Sequence, residues 1–141
     1  MNVGYDIDDT LITYDGKLIT EIYLDLLKEY DKGNNIFLIT ARLNNKSVRE
    51  FTENQLKFFG IDECLDIKND VFYTSFNSKV PYIKDLNLIK FHDDMDYNIN
   101  DINMNLYYLN PRFKIYKIIK RNNKYKKINK TKNRDEYLGI D

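Results

Sequence analysis

Val3-Gly4-Tyr5-Asp6-Ile7-Asp8-Asp9-Thr10 runs from an apolar segment straight into three carboxylates. Burial disfavours a charged carboxylate, so acidic side chains are costly at the end of a core strand and imply a use. If the backbone stays extended here, Asp6 and Asp8 project to one side and Asp9 to the other. A pair converging on one point suits a hard divalent cation or a reacting phosphate.

The rest of the chain repeats this pattern of apolar run and polar end. Residues 2–7 read as a first buried strand. Tyr14-Asp15-Gly16-Lys17 lies between Leu11-Ile12 and Leu18-Ile19, which predicts a small hairpin turning on Asp15-Gly16. Thr20 is placed to cap a helix whose face carries Tyr23, Leu24, Leu27 and Tyr30, with Gly33 ending it. Residues 36–39 form a second strand closing on Thr40-Ala41-Arg42. Ser47 and Glu50 make a capping-box signature, and Val48, Phe51, Gln55, Leu56 and Phe59 carry a helix to Gly60.

Residues 70–74 are a third strand candidate. Ser78 caps a short helix over 79–86, in which Pro81 fits only the first turn. A fourth strand over 88–91 ends at His92-Asp93-Asp94. A helix over 97–104 leads to an expected fifth strand at 106–109, stopped by Asn110-Pro111. Residues 115–120 and 125–128 then flank Asn122-Asn123 as a hairpin. Strands alternating with helices predict an α/β fold, a Rossmann-like three-layer sandwich with a mostly parallel sheet and a C-terminal basic β-hairpin.

Size and composition bound the chemistry. The 141 residues predict one domain, 1–141, with a core over 1–110 and a basic C-terminal extension over 111–141. The net charge of zero conceals an asymmetry. Residues 1–110 hold 11 Lys/Arg against 19 Asp/Glu, whereas 111–141 hold 11 against 3. The single cysteine, Cys64, excludes an internal disulfide and fits a reducing compartment. No apolar stretch approaches the ~20 residues that cross a bilayer, and no basic-then-apolar leader opens the chain. The expectation is a cytoplasmic, intracellular protein with no membrane partner.

In an open parallel sheet, ligands bind beyond the carboxyl ends of the strands. Asp6 and Asp8 follow the first strand, Thr40 the second, and Asp93 and Asp94 the fourth, with Lys79 opening the helix between the last two. Together they offer a carboxylate nucleophile, a carboxylate for proton transfer, a hydroxyl and an ammonium for phosphate oxygens, and carboxylates for a metal. An EF-hand is excluded, because its sixth and twelfth positions counted from Asp6 hold Leu11 and Lys17. A receiver domain would need its phospho-accepting Asp at the end of a later strand, where this chain has Thr40. No Gly-x-x-x-x-Gly-Lys occurs, so a nucleotide-binding P-loop is unsupported.

The order of these residues resembles the haloacid dehalogenase superfamily of phosphatases over roughly residues 1–110. Asp6, Asp8 and Thr10 meet that family's Asp-x-Asp-x-Thr motif, and Thr40 its second motif. Lys79 meets the third, with Lys84 and Lys68 as other candidates, and Asp93-Asp94 the fourth. By this resemblance Asp6 attacks phosphorus, and Asp8 protonates the leaving oxygen and then activates water. Thr40 and Lys79 bind phosphate. Mg²⁺ is held by Asp6, the backbone carbonyl of Asp8, Asp93 and, through water, Asp94. Arg42 is either a substrate contact or a solvated side chain. Asp9 and Asp96 read as surface or capping residues. His92 has no catalytic part, since the site already has its acid–base residue.

The gaps after the first and second strands are too short for a cap domain, so the resemblance implies a capless fold with an open site. Such a site admits bulky phosphorylated substrates, unless a second subunit of a homo-oligomer closes it. Basic residues from Arg112 to Arg134, interleaved with Phe113, Tyr116 and Tyr125, suit a nucleic-acid backbone and exposed bases. Their plainer reading is a solvated edge hairpin. The expected activity is Mg²⁺-dependent phosphomonoester hydrolysis on a nucleic-acid 3′-phosphate end or a nucleotide. A likeness to the phosphatase half of polynucleotide kinase-phosphatases adds to this. A 5′-nucleotidase or other small-molecule phosphatase is the alternative. A non-catalytic nucleic-acid or protein-binding module is the alternative of another class.

Overall fold

Short runs of aliphatic and aromatic residues form β1 (Asn2–Tyr5), β2 (Asn35–Thr40), β3 (Val71–Tyr73) and β4 (Leu88–Asp93). Helices α1 (Thr20–Asp31), α2 (Lys46–Phe58), α3 (Val80–Asp85) and α4 (Asp96–Met104) follow them in turn. β5 (Lys114–Arg121) and β6 (Lys124–Asn129) complete one six-stranded sheet in the order β3-β2-β1-β4-β5-β6. This computed structural model describes residues 1–134; residues 135–141, the end of the expected basic extension, lie outside the described part.

The first five strands are parallel and β6 runs antiparallel to β5. One face of the sheet packs Val3, Tyr5, Ile36 and Leu38 against Ile22 and Leu26 of α1 and Leu56 of α2. The other packs Phe91 and Ile115 against Ile83 of α3 and Ile99 and Ile102 of α4. The result is the expected three-layer sandwich, and among the described residues no cap domain interrupts it. Gly4 leaves room for the Leu88 and Phe91 side chains of the neighbouring strand to pack over its Cα. A Cβ there would meet Leu88 Cδ1 at 2.6 Å and Phe91 Cδ1 at 2.8 Å.

Some local expectations are corrected. Residues 106–109 are not a strand; Leu106–Tyr108 is a 3-10 turn, and β5 begins at Lys114. Leu106 and Leu109 are both buried, while Tyr107 and Tyr108 between them are exposed, a spacing of three rather than two. The basic hairpin is therefore built into the sheet, with β5 beside β4. α1 buries Ile22, Leu26 and Glu29, whereas Leu24 and Tyr30 of the expected face are exposed. α2 is capped by Asn45, whose side chain accepts from Val48 N at 2.9 Å, and not by Ser47. Its buried residues are Thr52 and Leu56, and Phe51 is exposed. The small hairpin expected after β1 is present: Ile12 and Leu18 form an antiparallel bridge, Thr13 N donates to the Lys17 carbonyl at 2.7 Å, and Gly16 turns at φ 84°.

Candidate active site

β1 stops at Tyr5, and the chain then coils tightly. The backbone N–H groups of Thr10, Leu11 and Ile12 all donate to the Ile7 carbonyl, and Asp9 takes a φ of 58°. Side-chain alternation ends with the strand, so Asp6 and Asp8 do not converge as extended backbone would make them. Asp6 turns inward and is almost fully buried. Asp8 lies outward, with about half of its side chain exposed (51%).

Asp6 meets the end of β4 instead. Carboxylate oxygens of Asp6, Asp93 and Asp94 lie within 4.8 Å of one another, a group able to hold a metal ion. Lys79, which directly precedes α3, sends a buried ammonium between them: Nζ donates to Asp6 Oδ1 and to Asp93 Oδ2, each at 2.8 Å. Asp93 is held further by Met95 N on Oδ1 at 3.0 Å and by Asn98 Nδ2 on Oδ2 at 3.1 Å. Thr10 Oγ1 donates to Asp6 Oδ2 at 3.4 Å, a long contact.

The electrostatics of this group are unbalanced. Three carboxylates face one ammonium. Burial, followed by the Asp93 charge, pushes Asp6 well above the ordinary carboxylate range despite the pull of Lys79. Burial and then Asp93 likewise raise Asp94 to about 6. Burial works against charge on Lys79, but Asp6 and Asp93 outweigh it and hold that ammonium above its usual value. Asp94 Oδ1 is buried without a hydrogen-bond partner. An orphaned carboxylate oxygen beside two others fits an all-oxygen site for a hard divalent cation, which would restore the balance.

Asp8 and Arg42 form a second unit. Arg42 grips Asp8 with Nε on Oδ2 at 3.0 Å and Nη2 on Oδ1 at 2.8 Å. Its Nη1 donates to Thr52 Oγ1 at 2.9 Å and Gln55 Oε1 at 3.0 Å, both on α2. The guanidinium is thus fixed from the helix side and neither solvated nor free. Thr40, buried at the end of β2, accepts from Arg42 N at 3.2 Å through its hydroxyl. Asp8 and Arg42 also wall an open cleft of about 680 Å³ whose other lining residues include Tyr14, Asp15, Phe51 and Gln55.

The sequence does not mark Thr52, Gln55 or Asn98 as site residues: Thr52 and Gln55 meet Arg42 from the next helix, and Asn98 meets Asp93 from the first turn of α4. Asp9 is expected on the surface. There the Asp9 side chain accepts from Tyr14 N at 3.0 Å and braces the loop after β1.

His92 lies on the sheet face opposite Asp93, fully buried. Its ring stacks between Tyr5, centroids 4.1 Å apart, and Tyr116, at 5.2 Å. Nδ1 donates to the Gly4 carbonyl at 2.9 Å. Nε2 lies 3.4 Å from Asp25 Oδ2 but makes no hydrogen bond. Burial depresses His92 to about 4, so it is neutral near pH 7 and that contact is not an ion pair. Asp25 is satisfied instead by Tyr5 Oη at 2.6 Å and Lys127 Nζ at 2.8 Å.

No protein-family model and no curated protein compared with this chain matches it, so the reading of the site rests on the residues themselves.

Proposed function

We propose that the protein is a Mg²⁺-dependent phosphatase that hydrolyses phosphomonoesters through an aspartyl-phosphate on Asp6. The observation that carries this reading is the single buried ammonium of Lys79 shared by Asp6 and Asp93, with Asp94 beside them. Asp6, Asp93 and Asp94 would hold the cation with the backbone carbonyl of Asp8. When bound, Mg²⁺ neutralises these carboxylates and the oxygens of the arriving phosphate. Lys79 and the Thr40 hydroxyl bind the remaining phosphate oxygens.

A carboxylate oxygen of Asp6 bonds to phosphorus as the bond to the leaving oxygen breaks. That oxygen takes its proton from Asp8. In the second half, Asp8 removes a proton from water, which attacks phosphorus and releases Asp6 and inorganic phosphate. Both oxygens of Asp8 are gripped by Arg42 in the resting structure. The proton transfers therefore require that grip to loosen as substrate enters the cleft, which gives Arg42 a positioning role at the substrate's edge. The cleft and its exposed Tyr14 and Phe51 leave room for a nucleoside-sized leaving group, from a nucleotide or a nucleic-acid end.

The test uses p-nitrophenyl phosphate. Wild type should hydrolyse it with Mg²⁺ and fail with EDTA, and Asp6→Asn should abolish turnover while keeping the melting transition. An inert wild type, or an Asp6→Asn variant with residual turnover of the same order, would overturn the reading.

A further inference from the structure

We infer that one face of the β5–β6 hairpin is a docking track for single-stranded nucleic acid whose phosphorylated end reaches Asp6. The inference rests on the phosphatase reading only for where that end sits; the track itself is measurable without turnover.

Register places the track. Lys117 of β5 is paired with Asp93, the last residue of β4, and β5 continues in parallel for four more residues to Arg121. At roughly 3.3 Å per residue the hairpin stands about 13 Å beyond the end of β4, on the side where Asp93 and Asp94 lie. Asn122 and Asn123, at φ 51° and 60°, make the two-residue turn at its tip.

The two faces of the projecting ribbon differ. The cross-strand pairs Ile118↔Lys127 and Lys120↔Tyr125 put these residues on the α1 side. There Ile118 is buried, Tyr125 N donates to Glu21, Lys127 pairs with Asp25, and Lys120 lies over the Tyr125 ring. That face is occupied. The pairs Ile119↔Lys126 and Arg121↔Lys124 put three exposed cations on the other face. Among the described residues no carboxylate pairs with Arg121, Lys124 or Lys126, whereas nearby Lys117 is held by Asp96 at 2.6 Å.

An unneutralised row of cations on a narrow ribbon complements a polyanion. The exposed aromatics choose which one. Tyr14, Phe76 and Tyr97 follow β1, β3 and β4 at the same end of the sheet and are at least three-quarters exposed. Rings of this kind offer stacking surfaces to unpaired bases, which an acidic peptide or a lipid headgroup would not use. Among the described residues no cap domain covers the strand ends between the hairpin and the loop that carries Asp6.

The experiment is fluorescence anisotropy with a 3′-phosphorylated single-stranded oligonucleotide in EDTA, over a salt titration. Arg121→Gln, Lys124→Gln and Lys126→Gln are combined in one variant of the full chain, its fold checked by circular dichroism. Wild type should bind with an affinity that falls steeply with salt. The triple variant should bind at least tenfold more weakly at low salt, with a log–log slope reduced by about 2. Equal binding by the folded variant, no binding by wild type, or equal competition by an acidic peptide or by anionic vesicles would overturn the inference. Hydrolysis of p-nitrophenyl phosphate without oligonucleotide binding leaves the phosphatase reading standing and removes the track. Hairpin-dependent binding by a wild type that hydrolyses nothing does the reverse.

Discussion

His92 shows how one buried side chain sets a pH response. Its depression from 6.5 to about 4 means that the folded protein binds fewer protons than the unfolded chain between those values. Stability from this group is therefore complete above pH 6.5 and is lost as pH falls towards 4, by about 3 kcal/mol at most. In His92→Phe this acid-side loss should disappear from denaturant titrations run across the same interval. A wild-type curve as flat as the variant's would contradict the assignment. At this scale the candidate site was partly legible. Asp6, Thr40 and Asp93 each end an apolar run, where a polar group stands out. The grip of Arg42 on Asp8 was not, because Gln55 reads with the periodic residues of its helix and nothing in the letters of Thr52 or Gln55 marks a partner on another element.

Strand and helix identities followed from periodicity where burial is one-sided or complete, as in β2 and β4. They failed where a short apolar cluster had two geometries open to it. Leu106 and Leu109 satisfy a tight turn and a strand equally well as letters, and only packing against the sheet decides. α1 misled for a related reason: its tyrosines tolerate exposure, so counting them as core rotated the expected face away from Ile22 and Leu26. β1 carries the sharpest test at this level. Gly4→Ala places a methyl group against Leu88 and Phe91 at under 3 Å. Overpacking of that kind costs about 1–3 kcal/mol, against about 0.4–1 regained from the stiffer unfolded chain. Urea titration should show a lower midpoint, and an unchanged or higher one would mean that the Leu88 and Phe91 side chains move aside at little cost.

For the whole molecule, stability is the test of whether the clustered carboxylates, which are able to hold a metal ion, do so. Without metal, Asp6 and Asp94 are raised in the folded state, which then binds more protons than the unfolded chain. Stability from Asp94 falls as pH rises from near 4 through about 6, and Asp6 adds a loss of the same sign, opposite to that of His92. Saturating Mg²⁺ should raise the melting temperature at pH 7, by the equivalent of about 2.7 kcal/mol at a hundredfold excess over Kd. It should also abolish that decline. A melting temperature indifferent to Mg²⁺ at pH 7 would exclude the metal site. Among the described residues no helix is long and apolar enough to cross a membrane. The charge asymmetry between the two parts of the chain is visible in the sequence; that its basic part joins the sheet, with β5 beside β4, is not.

The connection between β3 and α3 has a wider reach than its length suggests. Ser75 and Phe76 sit there at φ 52° and 66°, and their N–H groups donate to the carbonyls of Arg42 and Ala41. Left-handed backbone at non-glycine residues is strained and persists only while such anchors hold. Three residues on, Lys79 bridges the two central carboxylates. Loosening this one segment would slacken Arg42 and withdraw the ammonium together, leaving the sheet untouched. If the proposed chemistry runs at this site, turnover should fade with heating before the circular dichroism of the sheet does; simultaneous loss would show that the crossing melts only with the whole fold.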